Sequence, residues 1–500
     1  MWLTISFYTL LFYVIYRLIK FWIIHPWLVQ RDFSNQGIPG HYTPIVGDIL
    51  DRRRAFLADE LLNYIEETSV KLGDYYHTSL GPFPCLTISD PALVESVLKT
   101  NSRSYHKAQL ARAIVSTILG YENVLLAEDE NHTRRRRLLN PVFQHQNINS
   151  MISLMVDITS KFSTKWRIKT DEQTYPLICD ISKEMSNLTL DIITGCVFGV
   201  EVMNDKSIHE TIYKSLKIAL DEIEKRIYNL IILIPILNQL PIFGKRTIDK
   251  CRQDIKNITL QVINQRKQGL TKATCKGPDL LDLIFAACDD DNKQKFTDDE
   301  VADEAMTFVL AGHETTATLI TWALYNIVTN LDVYQRCQNE VDSVLSANEE
   351  LTVAAISQLT YTEAVLKETL RSHQPAPFLY RTAIVDNIIV ASDGKQIHIR
   401  KGVDIAMNLN VMNSSEKYWH EPKKFDPSRF LQRNSNVIFP FGSGPRACIG
   451  QNFAMLEAKI MLTMLLHQFR FELVPGQKLV QSTAVTIRPK YGLSMRVWPR

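Results

Sequence analysis

Phe441-Gly442-Ser443-Gly444-Pro445-Arg446-Ala447-Cys448-Ile449-Gly450 holds three glycines, a proline and one cysteine in ten residues. Glycine and proline at this density specify a sharply bent loop. Helical periodicity begins at once afterwards, over Gln451 to His467. Cys448 therefore stands at a helix amino terminus, where the dipole and the free amides favour a thiolate. A soft thiolate in an apolar loop is a good ligand for iron. A lone cysteine in a tight turn is ordinarily a buried, inert thiol; the ten-residue context carries the ligand reading instead.

Upstream, the pattern predicts one long helix from Thr297 to about Asn330, opened by a capping box of Thr297 with Glu300. Its middle reads Ala311-Gly312-His313-Glu314-Thr315-Thr316. A glycine inside a helix costs about 1 kcal/mol against alanine, and it lets a neighbour approach the backbone. An acid and a hydroxyl sit beside it on an otherwise apolar face (Phe308, Val309, Leu310, Leu319, Ile320). A membrane-spanning helix is disfavoured, since a central Glu costs about 2.5–3.5 kcal/mol on insertion scales. Further on, Glu368-Thr369-Leu370-Arg371 places an acid and a base three apart, on one helix face.

The decapeptide resembles the haem-binding loop F-x-x-G-x-R-x-C-x-G of the cytochrome P450 family, matching at Phe441, Gly444, Arg446, Cys448 and Gly450. Ala311–Thr315 is similar to that family's A-G-x-[DE]-T, and Glu368–Arg371 to its E-x-x-R. The resemblance covers about residues 37 to 500 and implies a mainly α domain with small β-sheets. It implies haem b held non-covalently, with Cys448 as axial iron ligand and Phe441 and Arg446 in the cofactor site, Arg446 on a propionate. Family members that esterify haem carry Glu where Ala311 stands. Gly312 would leave room for dioxygen, while Glu314 and Thr315 organise the protons that oxygen activation consumes. His313 reads as an ordinary helix histidine. Glu368 and Arg371, bridged to Arg429, would hold the core beneath the haem; Phe425–Phe430 departs from the family's P-E-R-F at Ser428.

Arg381 resembles the arginine that meets a propionate after the E-x-x-R helix. At His132-Thr133-Arg134-Arg135-Arg136-Arg137 the family has W-x-x-x-R, so Arg136 fits and His132 replaces the indole with an imidazole. Arg134 and Arg136 lie about 200° apart on a helical wheel. Arg136 would reach the cofactor, with Arg134, Arg135 and Arg137 spread toward solvent or toward an acidic electron donor. No G-x-G-x-x-G stands in a strand–helix setting. Electrons from NADPH would thus come through a separate reductase, with cytochrome b5 as a second donor. The implied activity inserts one atom of O2 into a lipophilic substrate. A peroxide isomerase or dehydratase working without reductase, and a non-enzymatic haem-thiolate sensor, are the alternatives. By family position the pocket would include Phe308, Ala311, Ala376, Phe378 and Val485.

Composition agrees with a large folded body. The 500 residues are 45% hydrophobic and 9% aromatic with a net charge of +2, which excludes disorder as the main state. With 56 basic against 54 acidic residues, no nucleic-acid partner is expected. Eight cysteines without a C-x-x-C pair argue against zinc ribbons and a disulfide framework.

Residues 1–30 read as a membrane anchor: Trp2–Tyr16 and Phe21–Leu28 are apolar, and together reach the ~20 residues a bilayer needs. Arg17, Lys20, Arg31 and Arg52–Arg54 follow the apolar stretch, which predicts a single pass in the endoplasmic reticulum membrane with the body on the cytoplasmic side. A buried amphipathic helix is the other reading. Residues 31–54 look like a Pro/Gly and basic linker, stiff and non-helical from Gly37 to Gly47, and 55–500 the haem domain. Strands are expected near Tyr75–Ser89, Ile388–Ile399 and Val485–Val497. Ile227–Phe243 is apolar but broken by prolines, either a core segment or an interfacial dip into the same membrane.

Overall fold

A computed structural model describes residues 2–171, 176–227, 240–269, 278–287, 295–348, 350–431, 438–483 and 486–500. The chain begins with helix α1 (Trp2–Ile19), which passes through a π-helical turn at Lys20–Ile24 into α2 (His25–Asn35). Over Thr4–Asn35 this helix is long and apolar enough to cross a membrane by length and composition. It runs past the expected end at residue 30. Its last turns bury Val29 and Phe33 in the core of the body, because the apolar spacing continues beyond His25.

The stretch Gly37–Gly47, expected to be non-helical, lies between the helix that ends at Asn35 and the next one, over Ile49–Leu57. Between them, Gly40 and Gly47 bridge to His77 and Leu80. Both glycines are required there, because a Cβ on either would meet a strand carbonyl at 2.1 Å.

A five-stranded sheet comprises β1 (Tyr75–Leu80), β2 (Phe83–Ile88), β3 (Tyr105–Lys107), β4 (Phe378–Ala383) and β5 (Asp404–Asn408), in the order β1-β2-β5-β4-β3. All pairings are antiparallel except β2 with β5. The expected strands near 388–399 form the hairpin Asn387–Val390 with Gln396–Ile399. Those near the carboxyl end are Ser494–Pro499, in a three-stranded sheet, and the hairpin of β6 (Gln481–Thr483) with β7 (Ile487–Pro489).

The helices that place the site are α3 (Asp129–Leu139), α4 (Ile181–Phe198), α5 (Lys206–Ile227), α6 (Lys245–Lys267), α7 (Asp298–Val328), α8 (Thr360–Ser372) and α9 (Gln451–Gln468). Central to them is α7. Both halves of its capping box form, and Asp298, Asp299 and Glu300 in its first turn suit the positive end of the helix dipole. Almost every side chain from Val301 to Val309 and from Thr316 to Leu324 is buried among α4, α6, α8 and α9. This all-round burial is the mark of a core helix.

Of the apolar stretch Ile227–Phe243, residues 228–239 lie outside the described residues, as does Val485. Leu240, Ile242 and Phe243 are exposed. The six described cysteines are all free; Cys275 and Cys288 lie outside the described residues.

Candidate active site

The loop before α9 turns twice through positive φ, at Gly442 (68°) and Gly444 (69°). A Cβ on Gly444 would stand 2.3 Å from the Leu98 carbonyl, so only glycine fits. The bend lets Cys448 N–H donate to the Phe441 carbonyl at 2.8 Å, and Ala447 N–H to that of Gly444 at 3.0 Å. Cys448 is exposed on this loop. Protein nonetheless encloses the sulfur enough that burial raises its pKa, outweighing the Gly450 N–H and the nearby charges of Arg136 and Lys107. The expectation of an intrinsically acidic thiol is corrected on this point: the helix terminus lowers the pKa, and desolvation wins. A coordinating metal reverses that balance, since it deprotonates a thiol outright.

Around the loop stand more cations than anions. Arg446 donates to the Ala127 carbonyl at 2.6 Å and pairs with the Glu128 carboxylate, so its partners include protein groups and not a propionate alone. Arg381 is 8% exposed and donates to its neighbour's carbonyl, Tyr380 O, at 2.9 Å. Burial, with Arg446 close by, brings its pKa down to about 10. Lys107 is pushed down to about 7 by burial, then by Arg381 and Arg446. His132 is buried, and desolvation plus Arg446, Arg136, Lys107 and Arg381 lower it to about 3. It is therefore neutral and keeps one ring N–H to donate. Arg136 donates to the Ala447 carbonyl at 2.7 Å and to Asn140 at 2.9 Å, gripping the cysteine loop itself.

Of the neighbours of Arg136, Arg137 is exposed, whereas Arg134 and Arg135 do not spread toward solvent. Arg135 is 2% exposed and donates to Glu304 at 2.8 Å and Glu300 at 3.1 Å, while Arg134 also pairs with Glu300. Both arginines clamp α3 to the start of α7. An acidic donor protein finds neither one free.

On α7, Ala311 is exposed and Thr315 half-buried, one helical turn apart; Thr315 Oγ1 donates to the Ala311 carbonyl at 2.7 Å. Glu314 turns elsewhere. Its Oε1 accepts from Thr486 at 2.9 Å, and it lines a cavity of about 320 Å³ together with His313, Ser186, Asp221 and Arg488. Gly312 faces α4, where a Cβ would lie 3.1 Å from Ile193; its smallness admits a helix contact. His313 meets Ser186 at 2.8 Å. Phe308 is buried edge-on to Phe143 at 4.9 Å, whereas Ala376 and Phe378 are half-buried.

Beneath, Glu368 and Arg371 form a fully buried pair, with Arg371 donating at 2.8 and 2.7 Å. Arg429 Nε lies 3.5 Å from Glu368, and Asp426 N–H donates to the same carboxylate at 3.0 Å. Ser428, the departure in that coil, donates its hydroxyl at 2.6 Å to Asp426, the residue that caps the turn.

Sequence reasoning missed Lys107, Glu128, Glu300 and Glu304 as partners. The acidic run at 298–304, facing four consecutive arginines, was the available signal for the last two.

The donor set suits a dianionic iron porphyrin: an accessible soft sulfur beside buried cations that one carboxylate, Glu128, does not balance. The Cytochrome P450 family model matches residues 38–495. Cytochrome P450 709B1 of Arabidopsis thaliana is 28% identical, covering 97% of this chain and 96% of the relative. Cytochrome P450 4F12 of Homo sapiens is 30% identical over 84% of this chain and 82% of its own. Protein LUTEIN DEFICIENT 5, chloroplastic, of Arabidopsis thaliana is 30% identical over 87% and 73%. A bent cysteine loop, a buried E-x-x-R pair and a family match across the body give one conclusion: the chain belongs to the cytochrome P450 family of haem-thiolate monooxygenases.

Proposed function

We propose that this protein oxidises a lipophilic substrate with O2, using NADPH electrons delivered by a separate reductase, while anchored by α1 in the endoplasmic reticulum membrane with its body on the cytoplasmic side. The single observation that carries the reading is Cys448, presented on a glycine-bent loop beside a surplus of buried cations. Bound there, haem supplies the iron at which dioxygen is activated.

The chain's own residues do the rest. Cys448 provides the sulfur ligand, and Arg136 fixes the loop through the Ala447 carbonyl. Arg381 and Arg446 neutralise propionates, with His132 adding a neutral donor. Thr315 presents a hydroxyl on the same face as the exposed Ala311. Glu314, held by Thr486 in a cavity it shares with Arg488, takes protons from that side and passes them along α7 toward the Thr315 hydroxyl. Glu368, Arg371 and Arg429 keep the supporting coil in place.

Two measurements test this. The reduced protein under carbon monoxide should show the red-shifted Soret band of a thiolate-ligated haem, and Cys448→Ala should abolish it. With reductase present, candidate lipophilic compounds should stimulate NADPH oxidation. Turnover of a lipid hydroperoxide without reductase would favour the isomerase reading instead, and an unshifted band in the wild type would remove the thiolate assignment.

A further inference from the structure

The hairpin of β6 with β7 meets α7 on one side and α5 on the other. Along a strand, residues two apart share a face, and Thr486, just ahead of β7, lies two residues from Arg488 within it. Thr486 donates to Glu314 Oε1 at 2.9 Å. Arg488 pairs with Glu224 of α5 at 2.5 Å. Ser482, directly opposite Arg488 in the hairpin, donates to the other Glu224 oxygen at 2.9 Å. One carboxylate on α5 thus grips a cross-strand pair. The hairpin does not depend on that grip for its place. Trp322 donates to the Ile487 carbonyl at 2.7 Å, and Ile487 N–H donates to that of Pro375 at 3.0 Å.

Arg488 and Glu314 line the same cavity, yet among the described residues Glu314 has no cation within 4 Å. Burial disfavours the Arg488 charge, and the charges of Glu314, Glu224 and Asp221 outweigh it, so its pKa is raised. The other charged groups of the cavity are engaged elsewhere or stand in water. Lys490 is bound to Asp59, and Asp180 accepts the N–H of Ser182 at 3.0 Å and of Leu493 at 2.9 Å. Lys183 and Lys217 are exposed. Asp221 lies 3.7 Å from Arg488, but its side chain is 47% exposed, and exposed ion pairs are worth little. Without Glu224, the carboxylate that gains most from the Arg488 charge is the half-buried Glu314.

An acid clamped by a guanidinium is a poor proton carrier, because the cation favours its ionised form and takes up its oxygens. We infer that Glu224 is a positioning residue for the oxygen chemistry: it keeps Arg488 on α5 and so leaves Glu314 free to pass protons to Thr315. This rests on the proton-delivery reading of Glu314 above and adds to it a residue from another helix that the motifs do not contain.

The test uses the haem-loaded full chain with reductase and NADPH and no added substrate, where reduced oxygen leaves as peroxide or water. Peroxide consumes half the protons and electrons per O2 that water does, so the NADPH used per O2 reads the partition. Glu314→Gln should lower the water-to-peroxide ratio about a hundredfold, the lower end of what a positioned acid contributes. Glu224→Gln should lower it as far. Combining Glu224→Gln with Arg488→Met should return it to near wild type, since no cation is left to capture Glu314. Crystals of the Glu224→Gln holoenzyme should show the Arg488 guanidinium on Glu314. A wild-type ratio in Glu224→Gln, or Arg488 resting on Asp221 or in water in those crystals, would overturn the inference. So would a double variant as impaired as the single, which would mark Glu224 as a structural brace. An unchanged ratio in Glu314→Gln would overturn the proton-delivery reading itself, a result distinct from these.

Discussion

One helix, α3, carries cations with opposite fates on its two faces. On one face Arg134 and Arg135 meet Glu300 and Glu304, and Val124 N–H fills the remaining Glu304 oxygen at 3.0 Å. Every charge there has a protein partner. On the other face, His132 and Arg136 look onto the cysteine loop, among cations that outnumber the carboxylates. Charges matched within the fold hold elements together; charges in surplus mark where a ligand's charge belongs. Adjacent residues on α7 divide in the same way: Glu314 turns to Thr486 and a polar cavity, Thr315 to the Ala311 face.

Breaking the matched face should give the largest stability effect. Arg135→Met leaves Glu304 buried and unpaired, an expected loss of about 3–5 kcal/mol in denaturant unfolding. Burial already lifts the Glu304 carboxyl to about 7 from its usual 4.5. The folded state thus binds that proton more tightly than the unfolded chain, and stability falls as pH rises between those values. Without Arg135 the fall continues to higher pH, so the penalty should deepen above neutrality. Arg135→Met with Glu304→Leu should recover most of the loss; a double variant as unstable as the single would show that the pair does more than compensate itself.

The split on α7 predicts a smaller, functional effect. Thr315→Ala should divert reducing equivalents to peroxide while folding and the carbon monoxide band stay intact. Tight coupling in that variant would remove Thr315 from proton delivery. The smallest effect belongs to His132. Its imidazole is lowered to about 3 when folded against 6.5 when free, so the wild type loses stability as pH drops below about 6.5. His132→Gln lacks that dependence and should gain on the wild type toward pH 5; parallel curves would place His132 in water.

The legible parts were those with local geometry. The glycine-bent loop, the capped helix and the i,i+3 pair each fix their shape within ten residues or so. What escaped depends on distant partners. Arg135 meets Glu304 across 169 residues, and Lys107 meets Arg381 only because two strands far apart in sequence pair in one register. An arginine run looks solvated until an acidic face is folded against it. The same applies to Gly312, whose neighbour Ile193 comes from another helix.

The unbroken helix at the amino end has a geometric consequence. From Thr4 to Asn35 it spans 32 residues, roughly 48 Å, against a hydrocarbon layer of about 30 Å. Its far end is locked in the core by Phe33 and tied by Asp32 to Arg400 at 2.7 Å. No swivel separates the apolar half from the catalytic half, so the angular phase of one dictates that of the other. Deleting a single residue between Trp22 and Pro26 would turn everything downstream by about 100° around the helix axis, re-aiming the body against the apolar segment without touching its chemistry.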